Sequence, residues 1–552
     1  MYRIKNKFIL LLAVAVALVT SCNDLEDLNI NPNGVDPATA DLNLLLPTIE
    51  VGIGQTVLNL GFGDLGGVMQ HTQYDGWSGG HNDYDWDDTD QSWSSYYGIL
   101  RNNDEFYRKA VEGEYEFHQG ISLVMRAYVF GYIADLWGDA PYTEALNAED
   151  GSEFFKPKFD DQQTIYEGIL ADLEEANTLL SKDESMYDNI DVVQDVLFQG
   201  DVTKWRKFAN SLALRYYMRL SVKSPGVAEA GITKITSDPD KYPLILDVAD
   251  DANIDFIGTS PADSWPTNIV YDTDLSSNYF RTKMCSTLIE ELQSLDDPRI
   301  GVWANKIEIP LKLVDGEGID VIIDGVRNLS QDVINEKYTN ETGADPDFDP
   351  EYVGIPPSFI SAPIYNLNPN LPQGRYNPHC SQLNDMYKKT SGEYLLMRIM
   401  SAAEVNFILA EASINNWTSG GSAEDYYNAG VQQSMNAWGV GDDYADYITR
   451  APYSGLESVI NQKWIASWTA AAEAWFDYRR TGLPDLQTGE LAKREALPLR
   501  FYYHFDNEIA KNPENAGVAI DKLEPTAFIG NDETNNSAWS RMWLLQGTGL
   551  PY

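Results

Sequence analysis

Aromatic side chains are concentrated in a polar, glycine-rich segment at residues 71–97. Four of them occur without helical or strand spacing: Tyr74, Trp77, Tyr84 and Trp86. Amides and acids, Asn82 among them, lie between these rings. A neutral sugar has apolar C–H faces that stack on aromatic rings, and hydroxyls that hydrogen-bond to amides and carboxylates. We therefore predict that this segment binds a glycan; the alternative is that its rings pack onto the body of the protein as loop anchors.

A second aromatic segment, residues 264–279, offers the same chemistry. Its candidate ligand-binding residues are Trp265, Asn268 and Tyr271. A third aromatic group stands at the start of an expected helix, where we expect core packing: Trp93, Tyr96 and Tyr97. The segment at 264–279 is therefore the second candidate for the glycan site.

Motifs that would indicate an enzyme occur only in unsuitable surroundings. Residues 76–80 fit the G-x-S-x-G elbow, which needs a buried strand before it and a helix after it, but polar loop stands on both sides. Residues 61–66 fit G-x-G-x-x-G without a following βαβ unit. The 84 acidic residues make carboxylate pairs inevitable, so such pairs do not identify a glycosidase. We predict no catalytic residues, and a surface hydrolase is the remaining enzymatic alternative.

Asp83, Asp85 and Asp87 resemble the start of an EF-hand calcium loop. However, Asp88 stands where the turn needs Gly, and Ser94 stands where a bidentate Glu belongs. A calcium site of another geometry stays open. The five histidines show no paired zinc-ligand spacing. We therefore predict no metal site and no cofactor.

The formal net charge of the chain is -45. Such a field repels nucleic acid phosphates, so we expect no nucleic acid partner. It also favours a neutral glycan over a strongly anionic one. This second inference is limited by screening over about 8 Å, which lets a local basic patch overrule the net charge.

The N-terminus has the pattern of a lipoprotein signal. Basic residues precede an apolar run at residues 8–19, and small residues lead to Cys22. That run is too short to cross a bilayer, which takes about 20 residues. We predict a signal peptide at 1–21, lipidation of Cys22, and a flexible tether at 22–40. The acidic residues after Cys22 resemble export signals of Bacteroidota surface lipoproteins, which places the protein on the extracellular face of the outer membrane.

We predict no membrane span after the signal, because no later run of about eighteen apolar residues is present. Residues 22–552 are predicted to form a single domain. Cys285 and Cys380 are the only cysteines left after acylation, and they could form one disulfide or remain buried free thiols.

Helical periodicity dominates the remaining chain. Apolar residues recur at intervals of three and four in these stretches: 165–180, 205–220, 405–412 and 460–478. They predict packed, paired helices, although no repeat of fixed period is present. Long polar stretches separate the helices: 61–97, 251–283, 305–380 and 481–540. Loops of this length are usually functional. Alternating apolar residues at 307–323 predict a short β-hairpin with its turn at 315–318.

Several sequence motifs follow one another in a recognisable order. They are AYVFGYIADLWGDAPY at 127–142, KWRKFANSLALRYYMRL at 204–220, DDPR at 296–299, EVNFILAEAS at 404–413, KWIASWTAAAEAWFDYRRTGLP at 463–484, and the late Trp543. With the lipobox, this ordered set resembles the SusD/RagB superfamily of nutrient-binding outer-membrane lipoproteins over nearly the whole mature chain.

The resemblance implies a mainly α fold of four tetratricopeptide-type helix pairs, with long loop-rich insertions and a minor β-hairpin. It also implies a surface lipoprotein that binds glycan and works with a TonB-dependent, SusC-like transporter. A RagB-type member would bind peptide or another nutrient with the same architecture, and this alternative stays open. Four charged residues in the marked motifs are expected to stabilise the fold and not to contact ligand: Glu473, Asp477, Arg479 and Arg480.

Overall fold

The computed structural model describes residues 41–76, 79–87, 91–273, 277–370, 376–418, 420–532, 534–550 and 552. The predicted signal peptide, Cys22 and the tether lie outside the described residues. The described chain is mainly helical, as predicted. Its helices are α1 (Leu46–Gly61), α2 (Asp64–Val68), α3 (Gly79–Asn82), α4 (Ser94–Glu112), α5 (Glu116–Trp137), α6 (Gln162–Leu179), α7 (Val202–Arg219), α8 (Pro225–Ser237), α9 (Asn278–Arg281), α10 (Ser286–Ser294), α11 (Arg299–Trp303), α12 (Gln331–Ile334), α13 (Asn340–Thr342), α14 (Ala402–Ile414), α15 (Ala423–Ala437), α16 (Tyr444–Arg450), α17 (Leu456–Ala466), α18 (Ala471–Thr481) and α19 (Pro513–Asp521).

Pairs of consecutive helices form the scaffold. The paired helices are α4 with α5, α6 with α7, α14 with α15, and α17 with α18. Successive pairs contact each other through α5 and α6, α7 and α14, and α14 and α17. Within the described residues, this confirms the predicted scaffold of helix pairs.

Local sequence explains where two of these helices begin. The side chain of Asp201 accepts a hydrogen bond from the Lys204 N–H at the start of α7. Ser401 accepts one from the Glu404 N–H at the start of α14. Such caps satisfy N–H groups that have no partner within the helix. The predicted apolar stripe of α7 is buried, with Trp205 at its first turn.

The apolar stripe predicted at 460–478 belongs to two helices and not to one. Helix α17 ends at Ala466 and α18 begins at Ala471. Between them, Thr469 has a φ of +70°, a left-handed conformation that a right-handed helix does not contain. The periodicity continues across the break because Trp464, Trp468 and Trp475 are all buried in the same core.

Short strands connect the loop-rich regions. They are β1 (Thr72–Tyr74), β2 (Ala252–Asp255), β3 (Thr282–Met284), β4 (Leu311–Leu313), β5 (Asp320–Ile323), β6 (Val326–Leu329), β7 (Leu396–Met400), β8 (Glu524–Pro525) and β9 (Ser540–Arg541). The antiparallel pairs are β1 with β3, β2 with β7, β5 with β6, and β8 with β9.

The β-hairpin lies later in the chain than predicted. It is formed by β5 and β6 with its turn at Asp324 and Gly325, which both have positive φ. Strand β4 pairs in parallel with β6, so residues 315–318 connect strands that are not neighbours. The Asp-Gly pair favours the tight turn, because both central residues of such a turn need positive φ.

A separate hydrophobic cluster, the satellite core, lies under this small sheet. It consists of Ile307, Leu311, Leu329, Val333, Ile334, Tyr338, Val353, Ile355, Ala362, Tyr365, Leu367 and Cys380. All of these residues come from the predicted long loop at 305–380. This loop therefore folds on a core of its own beside the helix pairs.

The two described cysteines do not form a disulfide. Cys285 and Cys380 are both free and buried. Burial raises the pKa of each thiol to about 12. Of the alternatives left open by the sequence, the structure supports two buried thiols.

The segment Leu42–Val68 is long and apolar enough to resemble a membrane span, with a mean hydropathy of 1.2 in its most apolar window. It contains α1 and α2, and α1 packs against α4, α18 and β7. We therefore interpret it as a core segment of the folded domain.

A buried network of ion pairs joins the helix pairs at their centre. Arg219 of α7 contacts Glu473 of α18 at 2.6 Å and Asp135 of α5 at 3.3 Å. Arg215, one turn earlier, contacts Glu404 of α14 at 2.7 Å and Glu473 at 3.3 Å. All of these side chains are at most 10% exposed. The network thus includes side chains from every helix pair.

The same network continues along α17 and α18. Lys463 contacts Asp477 at 2.7 Å, and Arg480 contacts Asp477 at 2.9 Å and also pairs with Glu411. Arg479 donates hydrogen bonds to the backbone carbonyl oxygens of Asp135 and Leu499. The charged residues of the EAWFDYRRTG motif are therefore part of the fold, as predicted.

The pKa of Glu473 shows the balance in this network. Burial alone would raise this pKa, but Arg215 and Arg219 hold it below its usual value. The carboxylate therefore stays ionised in the interior. Buried charges are tolerated only when they are paired and hydrogen-bonded.

We expect Arg219→Met to lower the free energy of unfolding by about 3–5 kcal/mol, because it leaves buried carboxylates without their partner. Chemical denaturation followed by circular dichroism measures this loss. The matched control is Arg108→Met, which breaks exposed pairs with Glu105 and Glu112. Exposed pairs contribute at most about 1 kcal/mol. Equal losses in the two variants would contradict the central role of the network.

Glu50 of α1 predicts a pH dependence of stability. It is 1% exposed, and its Oε2 accepts a hydrogen bond from the Val196 N–H at 2.8 Å. Burial, together with the nearby carboxylate of Asp195, raises the pKa of Glu50 well above its ordinary value. The protonated form is therefore favoured in the folded state. Its contribution to stability is full below about pH 4 and declines as the pH rises toward the folded-state pKa.

The variant Glu50→Gln should not show this decline, because its amide stays neutral and keeps an acceptor oxygen. We expect the stability of Glu50→Gln relative to the wild type to increase between about pH 5 and pH 8. Denaturation curves at several pH values measure the difference. A difference that stays constant over this range would show that Glu50 does not bind the proton.

Candidate functional site

A cleft among the described residues has a volume of about 550 Å³. It lies between α1, the segment at 80–99 and the chain near Phe501. Its lining residues are Gly52, Gln55, Thr56, Asn59, Leu60, Asp64, Gly80, Asp85, Trp86, Asp87, Gln91, Ser92, Ser95, Tyr96, Ile99, Trp137 and Phe501. The first predicted binding segment therefore forms one wall of this cleft, which is called the glycan cleft below.

The floor of the glycan cleft is a layer of buried aromatic rings. Trp86 and Trp137 each meet Phe501 edge to face, with centroids 5.2 and 5.4 Å apart. Tyr96 meets Trp137 in the same way at 5.3 Å. Edge-to-face contacts of this kind stabilise aromatic clusters and fix ring orientation. The cleft thus has a rigid apolar base.

The rim of the cleft is polar and acidic. Gln55 and Asn59 extend from α1, and Gln91, Ser92 and Ser95 lie on the opposite wall. Three carboxyl groups also line the cleft: Asp64, Asp85 and Asp87. Amides and hydroxyls both donate and accept hydrogen bonds, as sugar hydroxyls do. The acidic groups make the rim unsuitable for an anionic ligand.

Backbone contacts hold the loop wall in position. The indole N–H of Trp86 donates to the Gly80 carbonyl oxygen at 2.9 Å. Lys493 donates to the Trp86 carbonyl oxygen at 3.1 Å and pairs with Asp85 at 2.6 Å. The indole N–H of Trp137 donates to the carbonyl oxygens of Gln91 and Tyr502. The loop is therefore fixed at both ends of the cleft.

Trp86 is the predicted ring that lines the cleft, but it is only 3% exposed. It meets Trp475 of α18 at 5.7 Å as well as Phe501. Its ring is therefore part of the floor and does not form a free platform. Trp77, the other predicted tryptophan of this segment, lies outside the described residues.

The other predicted residues of the first segment hold the loop together. Asn82 accepts a hydrogen bond from the Tyr74 N–H at 2.8 Å and donates to its carbonyl oxygen at 2.7 Å. The Tyr74 ring stacks on His81 at 3.7 Å, with the guanidinium of Arg281 4.6 Å from its centroid. Tyr84 is fully buried. Tyr74, Asn82 and Tyr84 thus occupy the loop-anchor positions that the sequence left as the alternative.

The second predicted segment likewise contains both buried residues that support the loop and an exposed ring. Trp265 is fully buried against Phe62 and Tyr387, with centroids 5.4 and 5.5 Å away. Asn268 donates to the Trp265 carbonyl oxygen and accepts from the Tyr271 N–H, which closes a turn. Tyr271 is 42% exposed. In this segment the side chain of Tyr271 is exposed but does not line the cleft, whereas Trp265 and Asn268 support the loop.

Gln55 and Asn59 are among the cleft residues that were not predicted from the sequence. They are four residues apart on α1. That spacing places them on one face, and it is the signal that could have identified them. Gln55 also donates to the carbonyl oxygen of Ala262 at 3.0 Å, which connects the wall of the cleft to the chain just before the second segment.

The structure does not bring together the three aspartates that resemble the start of a calcium loop. Asp85 pairs with Lys493, whereas burial and the nearby Asp85 raise the pKa of Asp83 to about 6. Among the described residues, no group of three His, Cys, Asp or Glu side chains is placed to hold a metal ion. Asp88 lies outside the described residues.

The fold has counterparts in known proteins. Residues 58–504 match the family model of SusD-like proteins, described as starch-binding and associating with the outer membrane. The chain belongs to the SusD-like family. Members of this family are binding proteins and not enzymes, and its name places them at the outer membrane. No sequence among the curated proteins matches the chain.

Solved structures share the fold at low sequence identity. An outer-membrane protein of Bacteroides vulgatus, described as involved in nutrient binding, is 22% identical with a TM-score of 0.67, and covers 92% of this chain and 100% of its own. A SusD homologue from Bacteroides fragilis is 22% identical with a TM-score of 0.66, and the match covers 92% of this chain and 99% of the homologue. A chitin-binding SusD homologue from Flavobacterium johnsoniae is 19% identical with a TM-score of 0.66, and the match covers 91% of this chain and 99% of the homologue. These similarities confirm the fold of the SusD-like protein.

Proposed function

We propose that this SusD-like protein captures a neutral oligosaccharide or polysaccharide in the glycan cleft. The observation that carries the proposal is the combination of a rigid aromatic floor with an amide- and hydroxyl-rich rim. The family description as starch-binding and the chitin-binding relative support the same ligand class. A volume of about 550 Å³ lies in the range of sites that enclose small ligands.

The two parts of the cleft would act on different parts of a sugar. Apolar C–H groups would rest on the floor beside Trp86 and Tyr96, where burial of apolar area favours binding. The hydroxyls would exchange hydrogen bonds with Asn59, Gln55 and Ser95.

Charge selects among glycans. The carboxyl groups of Asp64 and Asp85 face the cleft, and the whole chain carries a net charge of -45. A sulfated or uronate-rich polymer would be repelled both by these carboxylates and by the net charge of the whole chain. A neutral glycan meets none and can use the carboxylates as hydrogen-bond acceptors.

We also propose that the protein is attached to the outer membrane through a lipid on Cys22 and passes its ligand to a TonB-dependent, SusC-like transporter. The lipobox supports the anchor, and the family description supports the membrane association. Several acyl chains hold a protein firmly to a bilayer, whereas one gives only marginal binding. The tether at 22–40 would place the folded domain at the mouth of the transporter.

Asn59→Ala tests the glycan cleft. Isothermal titration of the soluble form that begins after Cys22 would use neutral and acidic oligosaccharides and a peptide mixture. We expect one neutral glycan class to bind, and Asn59→Ala to weaken it by about 0.5–1.5 kcal/mol, or up to about tenfold. Trp86→Ala should weaken it more, because it also opens the aromatic floor.

Asn102→Ala is the matched control, because Asn102 lies on α4 but does not line the cleft. Its affinity should equal that of the wild type. Binding of peptides alone would assign the cleft to the RagB-type alternative. Unchanged glycan affinity in Asn59→Ala and Trp86→Ala would place the site elsewhere.

Purification from the outer membrane tests the anchor and the partner. A tagged full-length chain, solubilised in detergent from its own outer membrane, should bring a TonB-dependent transporter that mass spectrometry identifies. Cys22→Ala should leave the membrane fraction and lose the transporter, since it has no acylation site. Membrane retention of Cys22→Ala would contradict the lipid anchor, and a tagged wild type without any transporter would contradict the partnership.

A further inference from the structure

A second cleft, with a volume of about 360 Å³, lies near the last described segment of the chain. It is bounded by the start of α6, the end of α19 and residues 542–546. The side chains that shape its chemistry are Asp139, Asp161, Gln163, Lys522, Trp543 and Gln546. None of them lines the glycan cleft.

The base of the second cleft is apolar and fixed. Leu523, Met542 and Tyr503 are buried there. The Tyr503 hydroxyl donates to the Asp139 carbonyl oxygen at 2.9 Å, which holds the loop after α5 in place. A ligand in this cleft would thus meet an apolar surface that does not need to rearrange.

Trp543 supplies an aromatic wall that is half-buried. The ammonium of Lys223 lies 5.3 Å from its ring centroid and also donates to the Gln546 carbonyl oxygen at 2.7 Å. This contact fixes the ring against the body of the protein. The indole N–H of Trp543 is a hydrogen-bond donor. The ring therefore combines an apolar surface with a donor for a ligand oxygen.

Fixed polar groups stand beside this ring. The ammonium of Lys522 contacts Asp139 at 3.0 Å and also pairs with Asp161. Gln546 donates to the Lys522 carbonyl oxygen at 2.8 Å, and Gln163 is exposed at the start of α6. Donors and acceptors are thus held together on the side of the cleft that faces solvent.

These charges exclude ionic ligands. An anion would meet two carboxylates, whose charge outweighs the single ammonium of Lys522. A cation would have to displace that ammonium from Asp139 and Asp161. A neutral molecule with an apolar face and several hydroxyls fits both the ring and the polar groups, and a sugar has this chemistry.

We infer that this second cleft binds a hexose unit of a neutral glycan against Trp543, independently of the glycan cleft. The inference extends the proposed ligand class to a second site on the same chain. Two sites that hold one polymer raise its overall affinity, because the second contact becomes intramolecular.

Titration of the form that begins after Cys22 tests this inference, with maltohexaose and chitohexaose as the probes. We expect two binding sites for one probe in the wild type. Trp543→Ala should remove one of them and leave the affinity of the other within about twofold. Gln163→Ala should weaken the same site by up to about tenfold, the effect of one hydrogen bond. Because Gln163 is exposed, this second variant keeps the test valid if Trp543→Ala folds poorly.

Asn59→Ala distinguishes the two sites. This substitution should lower the affinity of only one site, the one that still binds the probe in Trp543→Ala. A single site that responds to Asn59→Ala, and to neither Trp543→Ala nor Gln163→Ala, would overturn the second cleft and leave the proposed function in place. A single site that is weakened by Trp543→Ala and Gln163→Ala but not by Asn59→Ala would support binding in the second cleft and contradict binding in the glycan cleft. Absence of binding by either probe would contradict both.

Discussion

The buried ion pairs around Arg219 and Glu473 are the interaction on which the rest of the structure depends. Helix pairs that share only apolar surfaces can slide past one another, because apolar contact is not directional. A buried charge has far less freedom, since an unpaired one costs several kcal/mol. Arg219 contacts α18 and α5 from α7, and Arg215 contacts α14 and α18 from the same helix. These contacts specify one arrangement of the four pairs, and this arrangement positions the loops that form the clefts.

The fold was predictable where its signal is periodic. The stripe that begins at Trp205 identified α7, because a helix that packs on one side must repeat its apolar residues at that spacing. The same rule failed at Thr469, where one stripe spans two helices, since periodicity does not register a single residue with positive φ. The hairpin was misplaced for a related reason. Alternation marks a strand but not its partner, and the turn at Asp324 and Gly325 decides the pairing.

The candidate site could be predicted from the sequence only as a region. The sequence identified the segment that forms a wall of the glycan cleft, because aromatic rings in a polar loop need a partner. It did not show which partner each ring has. Tyr84 and Trp265 pack against other side chains of the protein. The rings that contact Trp265 belong to Phe62 and Tyr387, which are far from it in the sequence. Asn59 was not predicted from the sequence, and only the fold places it at the cleft.

The satellite core has a consequence for the way the molecule opens. Its apolar cluster is separate from the main one, and both are formed by their own sets of side chains. Cooperative units of a protein often coincide with such clusters, and each unit can exchange its amide hydrogens through its own local opening. We therefore expect the satellite core to open locally as a unit while the main cluster stays closed. Tyr352 lies in the same region of the chain but packs in the main cluster, so it should limit how far that opening extends.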